Sequence, residues 1–257
     1  MQAIDRYAYS NRIRNVDPAY KATLAVAVLL LCLILDEPLV GLAATVGIWA
    51  LAVWVAGLPA RAFGQILLAE AFFLALVSAG VAISIGVGTP GREGLYAVHL
   101  GPMWLSTGPE GLALAARLVT RALGGTAAMN FLAMTTPLVD LVDLFRRLGL
   151  PPVLIDLMTL MYRFIFVLMD SLERMYVAQN SRLGYLSWKR ALSSAGQLAA
   201  RLFIDAYRRT ERLQISLDAR GYHGELRVLP AAYRRDDMLL LTGLCVVLSL
   251  VIIWGAL

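Results

Sequence analysis

The stretch LVGLAATVGIWALAVWVA, from Leu39 to Ala56, contains eighteen consecutive residues without a charge. An α-helix needs about 20 apolar residues to cross a hydrocarbon core roughly 30 Å thick. Asp36, Glu37 and Pro38 come directly before the stretch, and Gly57-Leu58-Pro59 comes directly after it. Acids and prolines at these places cannot continue a membrane helix. The stretch is therefore predicted to span a membrane between two tight turns.

Four further apolar runs lie along the chain, at Ala22–Leu35, Phe63–Val87, Leu112–Met134 and Met238–Leu257. Only 16% of the residues are charged, whereas about 25% are charged in soluble domains. We therefore predict an all-α, polytopic membrane protein with about five transmembrane helices. The segment Gly88–Gly111 is an exception, because glycine and proline break it too often for a helix and its apolar content argues against disorder.

The chain changes character from Pro137 to Asp237. Charged residues recur every few positions there, while apolar residues such as Leu154, Leu157 and Met161 keep helical spacing. This pattern predicts a cytoplasmic insertion of long amphipathic helices. The predicted division is a four-span bundle at 1–136, cytoplasmic or interfacial helices at 137–236 and a last transmembrane helix at 237–257.

Lysine and arginine are unevenly distributed between the predicted loops. The flank up to Lys21 has four and the stretch Pro137–Asp237 has fifteen, whereas the Asp36-Glu37 turn has none. Because cytoplasmic flanks carry the excess of these residues, we expect a bacterial inner-membrane protein with its N-terminus inside and its C-terminus outside. The net charge of +5 is explained by this topology, so we expect no nucleic-acid partner.

Few residues of this chain are suited to chemistry. No G-x-x-x-x-G-K-[ST] phosphate loop occurs, so nucleotide is not expected to bind in that way. His99 and His223 fall on opposite sides of the predicted membrane, and Cys32 and Cys245 lie inside apolar runs. We therefore predict no catalytic residues, no metal site and no cofactor in this chain.

Ionisable residues inside the predicted spans are the exceptions. Burying one unpaired costs about 2.5–3.5 kcal/mol or more, so Glu70, Arg117 and Arg121 are candidates for a structural ion pair or for a substrate route. Arg121 falls near mid-membrane and needs a partner, for which Glu70 is the candidate. Arg163 joins this group because Pro152–Met169 is apolar enough to touch lipid, and that stretch either crosses the membrane or lies along its inner face.

Two of the amphipathic helices end in arginine, glycine and tyrosine. The first ends in Ser181-Arg182-Leu183-Gly184-Tyr185 and the second in Ala219-Arg220-Gly221-Tyr222. Gly184 and Gly221 stand where a helix commonly stops with a left-handed residue. A guanidinium at such an end can pair with a partner's carboxylate. Alternatively, it can simply interact favourably with the negative end of the helix dipole.

Several segments resemble the transmembrane coupling subunit (T component) of energy-coupling factor transporters. They are Asp17-Pro18-Ala19-Tyr20-Lys21, Thr135-Thr136-Pro137, Tyr162-Arg163-Phe164 and the two arginine-ended helices. The opening Ile4–Asn11 and the ending Ala219–Gly224 are most similar to the cobalt branch, the CbiQ proteins.

The resemblance implies that the two arginine motifs dock into a pair of ATPase subunits. Arg220 lies in an unaltered Ala219-Arg220-Gly221, whereas Arg182 is flanked by Ser181 and Leu183. ATP and Mg²⁺ would be bound by the ATPases, and Co²⁺ would be carried by a separate substrate-binding membrane subunit. The resemblance leaves room for a small accessory membrane subunit.

Other functions would require other sequence features or the same ones. A nickel or vitamin transporter of the same family would use the same coupling subunit. A stand-alone secondary transporter would show inverted repeats and interrupted helices, and no internal repeat is visible. A membrane enzyme would gather polar catalytic residues at one interface, and the spans contain no such set.

Overall fold

The fold is helical, as predicted from the apolar runs. A computed structural model describes residues 2–82, 84–87, 96–100, 103–222, 224, 233 and 237–255. Its helices are α1 Gln2–Ser10, α2 Pro18–Ile34, α3 Pro38–Ala50, α4 Ala60–Ala82, α5 Pro109–Thr135, α6 Leu138–Arg147, α7 Pro152–Asn180, α8 Trp188–Asp218 and α9 Asp237–Gly255. A π-helical turn at Leu51–Val55 extends α3. The all-α polytopic prediction is thereby confirmed.

A small antiparallel sheet interrupts this helical order. Its strands are β1 Ser84–Val87, β2 Tyr96–Leu100 and β3 Met103–Thr107, in the order β1-β3-β2. The third apolar run was expected to stay helical to Val87, and that expectation is wrong. The chain leaves α4 at Ala82 because Ser84–Val87 pairs with β3, Ser84 lying opposite Ser106. The loop expected at Gly88–Gly111 contains β2 and β3, and its other residues up to Pro102 lie outside the described ones.

Within the part of the chain that the structure describes, three helices are long and apolar enough to cross a membrane, at Pro38–Val55, Ala60–Gly80 and Pro152–Asn180. The pair α5 and α6 passes the same test together as a broken span, and α2 and α9 are apolar but shorter. The count of five spans therefore remains a prediction. The ambiguous stretch Pro152–Met169 belongs to one uninterrupted 29-residue helix, α7, which is long enough to cross.

The chain divides into two compact units. The first comprises Met1–Pro137 and Ala232–Leu257, and the second comprises Leu138–Ala231. In the first unit α5 packs against α2, α3 and α4. In the second, α7 packs against both α6 and α8.

Small residues bring the helices of the first unit close together. A Cβ on Gly41 would collide with the backbone of Thr120, and one on Gly124 would lie 2.7 Å from the Sγ of Cys32. Ala127 and Ala128 are fully buried on the same helix, α5. Because only hydrogen fits at the two glycines, the small residues of α5 allow its neighbours to approach closely.

Candidate functional site

The two arginine motifs end their helices with the same hydrogen-bond pattern. At the first end, the amide of Gly184 donates to the carbonyl of Gln179 at 3.0 Å. At the second, the amide of Tyr222 donates to the carbonyl of Leu217 at 3.0 Å. Each bond reaches five residues back along the chain, which is the Schellman type of helix ending. The two motifs therefore match in backbone geometry as well as in composition.

The left-handed residue of this ending differs between the two motifs. It is Gly221 at the second end, with φ +71°, as predicted. At the first end it is Leu183, with φ 58°, so the expectation that Gly184 takes this role is wrong. Position 184 favours glycine for a different reason, because a Cβ there would lie only 2.8 Å from the Oγ of Ser194. In register, Ser181-Arg182-Leu183 thus corresponds to Ala219-Arg220-Gly221.

The first end is fastened to the start of α8. The hydroxyl of Tyr185 donates to the Oε1 of Gln179 at 2.7 Å, and its ring packs on Tyr176 with centroids 4.9 Å apart. The hydroxyl of Ser194 donates to the carbonyl of Gly184 at 2.9 Å. These contacts hold the turn that carries Arg182 against both helices.

The second end is fastened to the start of α7. The hydroxyl of Tyr222 donates to the Oδ2 of Asp156 at 3.0 Å, and Asp156 is only 5% exposed. This hydrogen bond to a carboxylate raises the pKa of Tyr222, because the protonated hydroxyl is the form that can donate. In the sequence, Asp156 is noticeable as an acid in an otherwise apolar stretch, but the sequence does not predict that Tyr222 is its partner.

A third fastening lies midway between the ends. The Nε of Arg209 on α8 is 2.9 Å from the Oδ2 of Asp205, and its Nη2 donates to the Oγ of buried Ser171 on α7 at 3.2 Å. The hydrogen bond from Arg209 lowers the pKa of Asp205 by stabilising the carboxylate. Since Ser171 meets Arg209 and Asp156 meets Tyr222, the two helices run antiparallel.

Arg182 and Arg220 consequently lie at opposite ends of this helix pair. The 31 residues of α8 make it about 46 Å long at 1.5 Å per residue. Both arginines are exposed, and neither has an ion-pair partner within the described part of the chain. The pair thus exposes one guanidinium group at each end.

The intramembrane residues take partners other than those expected. The Nη1 of Arg121 is 3.5 Å from the Oδ1 of Asp36, in the turn after α2. Glu70 accepts hydrogen bonds from the amide of Asn130 at 2.8 and 3.0 Å. The prediction that Glu70 is the partner of Arg121 is therefore wrong. Glu70 contacts α5 at Asn130, nine residues after Arg121. Arg117 is exposed on α5.

Two segments that carried the resemblance meet in the first unit. Lys21 is fully buried, and its Nζ donates to the carbonyls of Thr135 at 3.2 Å and Arg14 at 3.4 Å. The amide of Asn11 donates to the same Thr135 carbonyl at 3.1 Å. Asp17 caps α2 by accepting from the amide of Ala19 at 3.0 Å. These motif residues are structural, joining the first apolar helix to the end of α5.

Groups of histidine, cysteine and acids that could hold a metal are absent among the residues the structure describes. His99 belongs to β2, and His223 lies outside the described residues. Cys32 packs in the core beside Gly124, whereas Cys245 is exposed on α9.

Comparisons with known proteins agree with this architecture. Residues 10–230 match the family of cobalt transport proteins CbiQ. Cobalt transport protein CbiQ of Rhodobacter capsulatus is 34% identical over 233 residues, covering 90% of this chain and 89% of that protein. Cobalt transport protein CbiQ of Salmonella typhimurium is 28% identical over 228 residues, covering 89% and 100%. Energy-coupling factor transporter transmembrane protein EcfT of Listeria innocua is 30% identical over 177 residues, covering 63% and 66%. The chain therefore belongs to the CbiQ family of cobalt transport proteins, the transmembrane (T) components of energy-coupling factor transporters.

Proposed function

We propose that this chain couples ATP hydrolysis by two partner ATPase subunits to cobalt uptake through a separate substrate-binding membrane subunit. The observation that carries the proposal is the pair of matching helix ends at Arg182 and Arg220. Each arginine is exposed and directly precedes the left-handed residue of the same type of helix ending. A planar guanidinium at such a place can form a bidentate pair with a partner's carboxylate.

The separation of the two ends favours two docking partners. Helix α8 is about 46 Å long and carries one arginine motif at each end of the α7–α8 pair. One small groove on one subunit cannot hold both ends. Ser181, Ala219 and Gly221 are small, which lets the neighbouring arginines approach a partner surface closely.

The fastenings between α7 and α8 suit transmission of force. Contacts at Ser194, at Arg209 and at Tyr222 tie the pair near each end and in the middle. A displacement imposed at Arg220 by one ATPase would therefore move α7 with it rather than bend a loose helix. In this proposal residues 137–236 form the cytoplasmic coupling region.

The proposal divides the work among subunits. The ATPases bind ATP and Mg²⁺, and Co²⁺ is the substrate of the whole complex, so this chain is not an enzyme. A substrate-binding membrane subunit, and where present a small accessory membrane subunit, would contact this chain in the bilayer. The assembly would lie in the bacterial inner membrane with the N-terminus and the coupling region inside and the C-terminus outside. Cobalt is preferred over nickel or a vitamin because the cited CbiQ relatives carry the name cobalt transport protein.

The test replaces the two arginines. Arg182→Ala and Arg220→Ala should each reduce the ATPase recovered with the tagged chain from its native host, because each removes one docking end. The double variant should recover little ATPase and should lose ATP-dependent cobalt uptake, while its level in the membrane is unchanged.

Arg201→Ala is the matched control, since Arg201 is an exposed arginine within the same helix. It should leave recovery and uptake as in the unaltered chain. A double variant that keeps both ATPase and cobalt uptake would contradict the coupling role. Uptake of nickel or a vitamin in place of cobalt would retain the coupling role and replace the substrate.

A further inference from the structure

A groove between α7 and α8 gathers three arginines away from the two docking ends. Arg163 of α7 and Arg209 and Arg212 of α8 line it, together with Phe164, Val167 and Leu213, and its volume is about 340 Å³. Among the described residues that line it, none is acidic. The groove therefore combines a cationic rim with an apolar wall.

Arg209 and Arg212 share one nearby carboxylate, that of Asp205, among the described residues. Arg209 is paired with Asp205 at 2.9 Å. Arg163 and Arg212 are exposed and form no ion pair with any residue in the described ranges. Like-charged guanidinium groups around one groove repel each other, so an anion between them would be favourable.

The apolar wall of the groove indicates where that anion comes from. Leu160, Phe164 and Val167 of α7 and Leu213 of α8 line the groove together with the arginines. Helix α7 is also one of those long and apolar enough to enter a membrane. Basic pockets between helices beside a bilayer bind acidic lipid headgroups. An acyl chain against this apolar wall would place a lipid phosphate at the arginines.

We propose that the groove formed by Arg163, Arg209 and Arg212 binds the phosphate of an anionic glycerophospholipid. The lipid's charge offsets Arg163 and Arg212, and an acyl chain covers the apolar wall of the groove. The lipid thus holds the α7–α8 pair at the membrane surface. This inference does not rest on the docking role of Arg182 and Arg220.

The experiment measures lipid binding to the full purified chain in neutral detergent, with fluorescent phosphatidylglycerol and phosphatidylcholine as probes. We expect phosphatidylglycerol to bind more tightly. The double variant Arg163→Gln and Arg212→Gln should weaken its binding roughly tenfold or more, because each surface cation contributes about 1 kcal/mol to such attraction. Soluble glycerophosphate should not displace the lipid at equal concentration, since it lacks the chains that cover the apolar wall.

The matched control is the double variant Arg201→Gln and Arg208→Gln, which removes the same charge from exposed positions of α8 outside the groove. It should bind phosphatidylglycerol as the unaltered chain does. Equal weakening by the control would show attraction by overall charge and overturn the site. Equal binding of the two lipids, unchanged binding by the groove variant, or displacement by glycerophosphate would overturn it as well.

Discussion

At the scale of single residues, the first docking end stores backbone strain that the second lacks. Leu183 has φ 58°, a region that side chains with a Cβ disfavour, whereas Gly221 takes the equivalent place with φ +71°. Leu183 is also 60% exposed beside Arg182, so the strain is not offset by burial. Strained residues that persist in this way cluster at functional sites.

Leu183→Gly should stabilise the end of α7. Relief of the left-handed leucine should add about 1 kcal/mol to the free energy of unfolding. Thermal or denaturant unfolding of the purified chain in detergent would measure this. Leu186→Gly is the control, because Leu186 is similarly exposed and has no positive φ. If Leu183→Gly were as destabilising as that control, the strain would be absent.

Lys21 belongs to the same scale, because a buried ammonium requires partners. Lys21→Met should lower the free energy of unfolding by about 1 kcal/mol, since the Thr135 carbonyl loses the hydrogen bond from Lys21 and keeps the one from Asn11. Lys189→Met is the matched control on exposed α8 and should change stability little. Equal effects of the two substitutions in an unfolding titration would argue against a structural role for Lys21.

At the scale of elements, α7 and α8 act as one antiparallel pair because three contacts along them fix their register. None of the residues of α8 is buried, so apolar packing contributes little to this register. Polar contacts such as Tyr222 with Asp156 and Arg209 with Ser171 decide it instead. Sequence periodicity predicted both helices, but a periodic pattern does not contain the polar partners.

Tyr222→Phe should loosen the second docking end from α7 by removing the hydrogen bond to Asp156. Hydrogen exchange of the last turn of α8 would speed up, and Tyr207→Phe at an exposed position would leave it unchanged. The raised pKa of Tyr222 adds a pH dependence. The stabilisation is complete below the ordinary tyrosine pKa of about 10 and is lost as the pH rises through the raised value. Exchange that is insensitive both to the substitution and to high pH would contradict this contact.

At the scale of the whole molecule, the proposed topology places the docking ends inside and the end of α9 outside. The excess of basic residues in 137–237 is the basis for this orientation. The two compact units correspond to the helices that carry the apolar runs and to the helices that carry the arginine motifs.

Cysteine labelling can test the topology in a chain whose Cys32 and Cys245 are replaced by alanine. Ser181→Cys should react with a membrane-impermeant thiol reagent only in inside-out vesicles. Trp254→Cys, at the end of α9, should react only in right-side-out vesicles. If both positions reacted from the same side of the membrane, the chain would cross it an even number of times between them, and the proposed topology would be contradicted.

Local patterns along the chain were enough to predict the class of protein, its helical character and the two arginine ends. Hydropathy, helical spacing and chain-ending residues are local properties that can be read along the chain. The tertiary structure alone decided that Leu183 takes the left-handed place, that Arg121 meets Asp36 and that Glu70 meets Asn130. The structure also shows that Ser84–Val87, which was expected to be helical, forms a strand paired with β3. These outcomes depend on which segments come into contact, and contacts between distant segments are not encoded in the spacing of either one.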